Sequence, residues 1–121
     1  FMHHPPFITG MGAMDEPFEG ADLLRDVLSR APWARLCCGH MHRPIFTAWA
    51  QGLALTVPSI SMQIDLDLSP EGGDTFRMEM PGYMLHHWDG SHLNSHVCQI
   101  PADVDFSGPH PFADSVNPVE D

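Results

Sequence analysis

Two short histidine clusters carry the chemistry in this chain: Met2-His3-His4-Pro5-Pro6 and Gly39-His40-Met41-His42-Arg43. Neutral imidazole is the commonest protein ligand for metals near physiological pH, and Zn, Mn and Fe all accept it. Two histidines one residue apart converge on a metal pair when the backbone turns sharply, and a preceding glycine such as Gly39 permits that turn. Pro5 and Pro6 stiffen the loop after His3 and hold a ligand there at little ordering cost. Taken jointly, His3, His40 and His42 point to metal. The residues leave two chemistries open. One is a hydrolytic centre with two ions. The alternative is a non-catalytic histidine-based metal-binding module, three imidazoles and water around one ion, which is a plausible zinc shell. A cupin-type site also uses His-x-His but needs a nearby glutamate, and residues 44–50 contain no acid.

The other histidines, His86, His87, His92, His96 and His110, read as solvated or strand-face side chains. His86 and His96 are placed to face each other across a hairpin. Cys37, Cys38 and Cys98 are an odd count with an adjacent pair, a poor disulfide framework. Free cysteine is among the most buried residue types, so Cys37 and Cys38 read as buried thiols in a reduced, cytoplasmic protein rather than as ligands.

The elements that must position the clusters follow from the spacing. Dense proline and glycine make residues 1–18 a loop. Leu24, Val27, Leu28 and Ala31 fall at helical spacing, predicting one helix near residues 20–31 that Pro32 stops. Ala34 to Cys38 reads as a buried strand ended by Gly39. His40 and His42 then lie just past a strand's carboxyl end, where open α/β sheets bind ligands. Ile45–Ala50 and Leu53–Val57 read as a hairpin around Gln51-Gly52. Ser59–Leu68 alternates as a half-buried strand, and Pro70 to Asp74 is a turn. Gly82–Trp88 and Leu93–Ile100 flank Asp89-Gly90, a hairpin signal. Residues 101–121 read as an extended, acidic, Pro-rich tail. The expected fold is therefore α/β, with mainly antiparallel strands and one helix. Such a layer needs something against its other face, so it should expose apolar surface.

Net charge is −11, from 16 acids and 5 bases, all of them scattered arginines. Binding a nucleic acid polymer needs a clustered basic face, so that class is excluded. A small phosphate substrate is not, since bound ions can set the charge of a site. No apolar run approaches the roughly 20 residues of a membrane span. The opening Phe-Met-His-His has no basic leader and is read as the interior of a longer protein.

His3-His4-Pro5-Pro6 followed by Gly39-His40-Met41-His42 resembles the C-terminal half of calcineurin-like metallophosphoesterases. It looks most like the bacterial cyclic-nucleotide and glycerophosphodiester phosphodiesterases. Further similarity runs through Met14-Asp15, Leu28, Pro58-Ser59 and Pro81 to His86. The resemblance covers about residues 1–100. It implies the C-terminal half of a four-layer α/β/β/α sandwich there, with 101–121 as the tail. It implies two divalent ions (Fe, Mn, Zn or Co), with His3 and His40 on one, His42 on the other, and His4 orienting the site without binding directly. It implies a small phosphodiester substrate attacked by a metal-bridged hydroxide. The family's remaining ligands come from Asp-x-His, Gly-Asp-x-x-Asp and Asn-His motifs, none of which occurs in these 121 residues. Asp65 and Asp67 do not match them. The piece alone is therefore expected to be inactive, and to form a homo-oligomer or associate with the missing half.

Overall fold

Helix α1, Ala21–Ser29, starts after Gly20, whose left-handed backbone (φ 88°) turns the chain into it. In the computed structural model, residues 1–16, 18–101, 107–109 and 111 are described. The inward stripe is Ala21, Leu24, Leu28 and Ala31, all only partly exposed. Val27, expected on that stripe, is instead 56% exposed, as is Leu23 beside it at 74%. Leu28 seats the helix on a core of Phe7, Leu36, Cys38 and Ala54, with Met2 and Trp49 at its margin. The Arg25 guanidinium lies 5.4 Å from the Trp49 ring centroid and adds a cation–π contact.

Strands β1 (Arg35–Cys38), β2 (Ile45–Trp49) and β3 (Gly52–Thr56) form one sheet in the order β1-β3-β2. β1 and β3 run parallel, and β2 and β3 antiparallel. Met2 adds a parallel bridge to Cys38 on the free side of β1. Opposed residues share a face, so Leu36, Cys38, Ala54 and Thr56 look toward the helix and core. The other face carries Arg35, Cys37, Phe46, Ala48, Leu53 and Leu55. There Leu55 and Cys37 are buried, while Phe46 and Leu53 are exposed. The expected apolar surface is present.

The β2–β3 hairpin turns one residue earlier than the sequence signal suggested. Trp49 pairs with Gly52, so the two turn residues are Ala50 and Gln51, both left-handed (φ 53° and 64°). That is the geometry matching strand twist in two-residue hairpins, normally supplied by Asn-Gly. Gly52 belongs to the strand because a Cβ there would meet the Ala34 and Pro32 carbonyls at 3.1 and 3.2 Å.

Ser59–Leu68 is not one strand. The ladder holds only β4 (Gln63–Ile64), paired with β5 (Phe76–Arg77), which the alternation missed. Gln63 explains the break. It is buried, and its amide donates to the Ser59 carbonyl (2.8 Å) while accepting from the Ser59 N–H (3.0 Å). This closes residues 59–63 into a loop, and Ile60, Leu66 and Leu68 point to solvent. Strands β6 (Gly82–Trp88) and β7 (Leu93–Gln99) form the second hairpin, with a loop through Asp89–His92. Its register pairs His86 with Ser95 and Leu85 with His96, so the expected His86–His96 pair does not form. Arg35 reaches Ser95 (3.0 Å) and His86 lies 3.9 Å from the Cys37 sulfur, tying this hairpin to β1. Most of the tail lies outside the described residues, as does His110. Among the described residues no helix is long and apolar enough to cross a membrane.

Two outcomes follow. Gln51→Gly relieves a left-handed side chain and raises stability by about 0.5–1 kcal/mol, read from urea unfolding midpoints; an unchanged or lower midpoint contradicts the strain. Burial, with the neighbouring Cys37 thiol adding to it, pushes the Cys38 thiol up to about 11, leaving about one thiolate per thousand at pH 8. Ellman's reagent should therefore titrate Cys98 promptly, and Cys37 and Cys38 only as the chain unfolds.

Candidate metal centre

The site is built on the carboxyl end of β1. The Met2 N–H donates to the Cys37 carbonyl (3.1 Å), and the Gly39 N–H is shared between the Met2 and His3 carbonyls (3.2 and 2.9 Å). These bonds lay the first histidine cluster directly beside the second. A Cβ on residue 39 would come within 3.2 Å of His3 Nδ1, so the glycine lets the ring lie close.

After Gly39, His40 and His42 both adopt left-handed backbone, with φ 69° and 47°. Such conformations cost roughly 1–2 kcal/mol for a side-chain-bearing residue and cluster at functional sites. What holds them is the residue between. Met41 is fully buried against Met11 and Ile64, so the loop runs with Met41 inward and a histidine on either side.

Each of these histidines has one ring nitrogen committed to a carbonyl. His40 Nε2 lies 3.2 Å from the Met14 oxygen, and His42 Nδ1 lies 3.2 Å from the Met62 oxygen. A carbonyl only accepts, so the hydrogen sits on His40 Nε2 and on His42 Nδ1. The free lone pairs are then His40 Nδ1 and His42 Nε2. A metal-ligating histidine typically binds its other N–H in this way, which fixes ring and tautomer. Burial, and next the nearby His4 ring, lower the His40 pKa, while Glu16 opposes them. The net effect favours the neutral imidazole that a metal requires.

The loop carrying Met14 is itself fastened. One Asp15 carboxylate oxygen accepts from the Thr9 N–H (2.9 Å) and hydroxyl (2.7 Å), and the other from the Gly10 N–H (2.8 Å). Met11 is sealed in the core below, and Ala13 N–H reaches the Gly72 carbonyl. Glu16 follows, with Oε2 3.3 Å from His4 Nε2 and Oε1 4.0 Å from His40 Nε2.

His3, His4 and His40 come together, each offering one donor atom within 4.8 Å of the others'. His42 is not in that group; it is turned toward Met62. Asp65 is engaged by Arg77 (2.6 Å) and Asp67 by the Ser69 N–H (2.9 Å). His86 binds Ser95 (2.7 Å) and His92 lies 3.6 Å from Asp89. The Met14 and Met62 carbonyls could not be foreseen from residue types, because backbone acceptors carry no residue signature. Nor did the sequence mark Glu16 out from the other acids. The Met14-Asp15 pair was the one available signal for this loop.

The donor chemistry suits a divalent transition ion: clustered imidazoles beside a carboxylate. No protein-family model matches the chain. The chain is 37% identical over 116 residues to the probable glycerophosphodiester phosphodiesterase GpdQ of Arcobacter nitrofigilis, covering 93% of the chain and 41% of that protein. It is 31% identical over 103 residues to a probable cyclic nucleotide phosphodiesterase of Rhodopseudomonas palustris, covering 83% of the chain and 37% of that protein. The chain is a homologue of metallophosphoesterases. It spans about two fifths of the length of these curated relatives.

Replacing Asp15 by Ala removes three hydrogen bonds and should cost about 1–3 kcal/mol. Amide exchange at Gly10 and Met11 should accelerate, and the His40 ring should lose its fixed acceptor. Unchanged exchange would show that the loop is held by its core methionine alone.

Proposed function

We propose that the chain forms part of a dinuclear metal-dependent phosphodiesterase, with His3 and His40 on one ion and His42 on the other. The observation that supports this most directly is the pair of carbonyl contacts to Met14 and Met62. They leave a different nitrogen free on each histidine of a Gly-His-x-His turn, which suits two ions rather than one. When bound, two divalent ions, Fe, Mn, Zn or Co, would lower the pKa of a bridging water and clamp the phosphoryl oxygens.

The chain's own residues supply orientation. Gly39 brings His3 against the turn. Met41 anchors the turn from below. The Met14 and Met62 carbonyls hold the N–H of His40 and His42, and Glu16 lies against His4. The carboxylate and asparagine ligands of the family pattern are not among these 121 residues, so in this reading they are contributed from elsewhere and the piece alone is inactive. The substrate class is a small phosphodiester, of glycerophosphodiester or cyclic-nucleotide type, in keeping with the relatives' names. Net charge −11 and scattered arginines weigh against nucleic acid polymers. Phe46 and Leu53 on the sheet, with Tyr83 and Leu85 on β6, are exposed; apolar surface of this kind favours association, with further chain or with a second copy. Free Cys37, Cys38 and Cys98 fit a reducing, cytoplasmic setting.

The test uses a protein of the relatives' full length that carries these residues. With Mn, Zn or Co it should hydrolyse bis(p-nitrophenyl) phosphate. His42→Ala should lower kcat/KM by about 100-fold or more, the loss of about 2.7 kcal/mol of transition-state stabilisation. A His42 variant as active as the parent would remove the reading.

A further inference from the structure

His4 and Glu16 are left over when the family pattern has assigned its ligands. Yet the His4 ring lies 4.2 Å from that of His40, centroid to centroid, at a tilt of 36°. Both rings turn Nε2 toward the same short stretch of chain. His40 Nε2 meets the Met14 carbonyl at 3.2 Å, and His4 Nε2 meets the Glu16 carboxylate at 3.3 Å. A small ring rotation brings the His4 Nε2–H onto that carboxylate, which like a carbonyl only accepts, and leaves Nδ1 free, as on His40. The His3 ring stands edge-on to both, at 4.8 and 5.4 Å between centroids. All three rings offer a donor atom within 4.8 Å of the others'. Two ligands of a tetrahedral ion with bonds of about 2.0–2.1 Å sit about 3.3 Å apart. The rings therefore need to close by no more than about 1.5 Å, which side-chain rotation provides.

We propose that His4 is a direct metal ligand and that Glu16 is its positioning residue. His3, His4 and His40 then hold one divalent ion of zinc type without His42. Three imidazoles leave a fourth position for water, the arrangement of a catalytic rather than a closed structural zinc site. Glu16 fixes the His4 ring as a carboxylate fixes an imidazole in a carboxylate–histidine–metal triad. The 14–16 stretch thus serves two ligands at once: its Met14 carbonyl holds His40 and its Glu16 side chain holds His4. Asp15, between them, ties the stretch to Thr9 and Gly10. The proposal rests on the reading of His3 and His40 as ligands and adds a third imidazole to theirs.

The experiment is calorimetric titration of the 121-residue chain with Zn²⁺, with Co²⁺ visible absorption as a second readout and circular dichroism to establish that each variant is folded. Expected are one tight ion per chain and a Co²⁺ spectrum of low coordination number. His4→Ala should weaken that ion by about 100-fold. Glu16→Ala should weaken it by about tenfold, and Glu16→Gln, which keeps an acceptor oxygen for the ring, should recover most of the loss. His92→Ala, on the loop between β6 and β7 and away from the cluster, should bind within about twofold of the parent. If folded His4→Ala binds like the parent while His3→Ala and His40→Ala do not, this proposal falls and the ligand reading of His3 and His40 stands. If His42→Ala removes the first ion and His4→Ala does not, the ion belongs to the turn alone and the proposal also falls. Uptake of no ion by the parent, or unchanged uptake by His3→Ala and His40→Ala, overturns both.

Discussion

The Gly39 amide is the joint on which the site depends. It is shared between the carbonyls of Met2 and His3, and with the Met2 N–H bond to the Cys37 carbonyl it fastens the opening segment to the end of β1. Without it only the Met2 N–H bond would hold the two histidine clusters side by side. The arrangement requires a residue that is tightly approached, and a side chain there would crowd the His3 ring. It also requires β1 to end in a fixed place. The parallel pairing with β3 supplies that, because Cys38 opposite Thr56 is the last rung and both side chains are buried.

Beyond the joint, strain is balanced by burial. Two left-handed histidines cost together about 2–4 kcal/mol, and a fully buried methionine side chain contributes about 1.5–3 kcal/mol. Met41 is therefore of the right size to hold the turn but not to leave it slack. Its neighbours add to the restraint. Thr56 donates its hydroxyl to the Arg43 carbonyl, and Arg43 is held at its other end by the Ile64 carbonyl and Glu79. The turn is clamped on both sides of the histidine pair, so its rings are oriented before any ligand arrives. Preorganisation of this kind removes ordering entropy from binding.

The histidines themselves were legible in the sequence, because their type, their spacing and the flanking glycine and prolines all bear on one chemistry. The helix, β1 and both hairpins were legible for the ordinary reason that period 3.6 and period 2 differ. Legibility failed where a side chain competes with the ladder or where backbone does the work. Gln63 folds its amide back onto Ser59, which converts an alternating run into a loop and a two-residue strand. Ala50 and Gln51 take the hairpin turn although neither is a turn residue by composition, since the pairing of Trp49 with Gly52 is enforced by the close packing of Gly52 on Pro32 and Ala34. The acceptors that fix the His40 and His42 tautomers are methionine carbonyls, and no residue type predicts those. Val27 matched the helical stripe in spacing but lies on its outer flank, because nothing among the described residues packs there.

Burial and solvation also explain why these imidazoles stand ready as ligands. The three rings each offer a donor atom within 4.8 Å of the others', and burial and the nearby His4 ring disfavour the charged form of His40. Glu16 pulls the other way, yet it is exposed and touches the cluster from its edge, where solvent screens it. The neutral form therefore prevails at the centre of the group, while the carboxylate remains close enough to orient a ring. His40, held toward its neutral form, is suited to a dication, whose charge it accepts without first losing a proton. The same balance sets a limit. Neutral imidazoles do not offset a second dication, so any second ion at His42 needs carboxylate ligands that these residues do not gather.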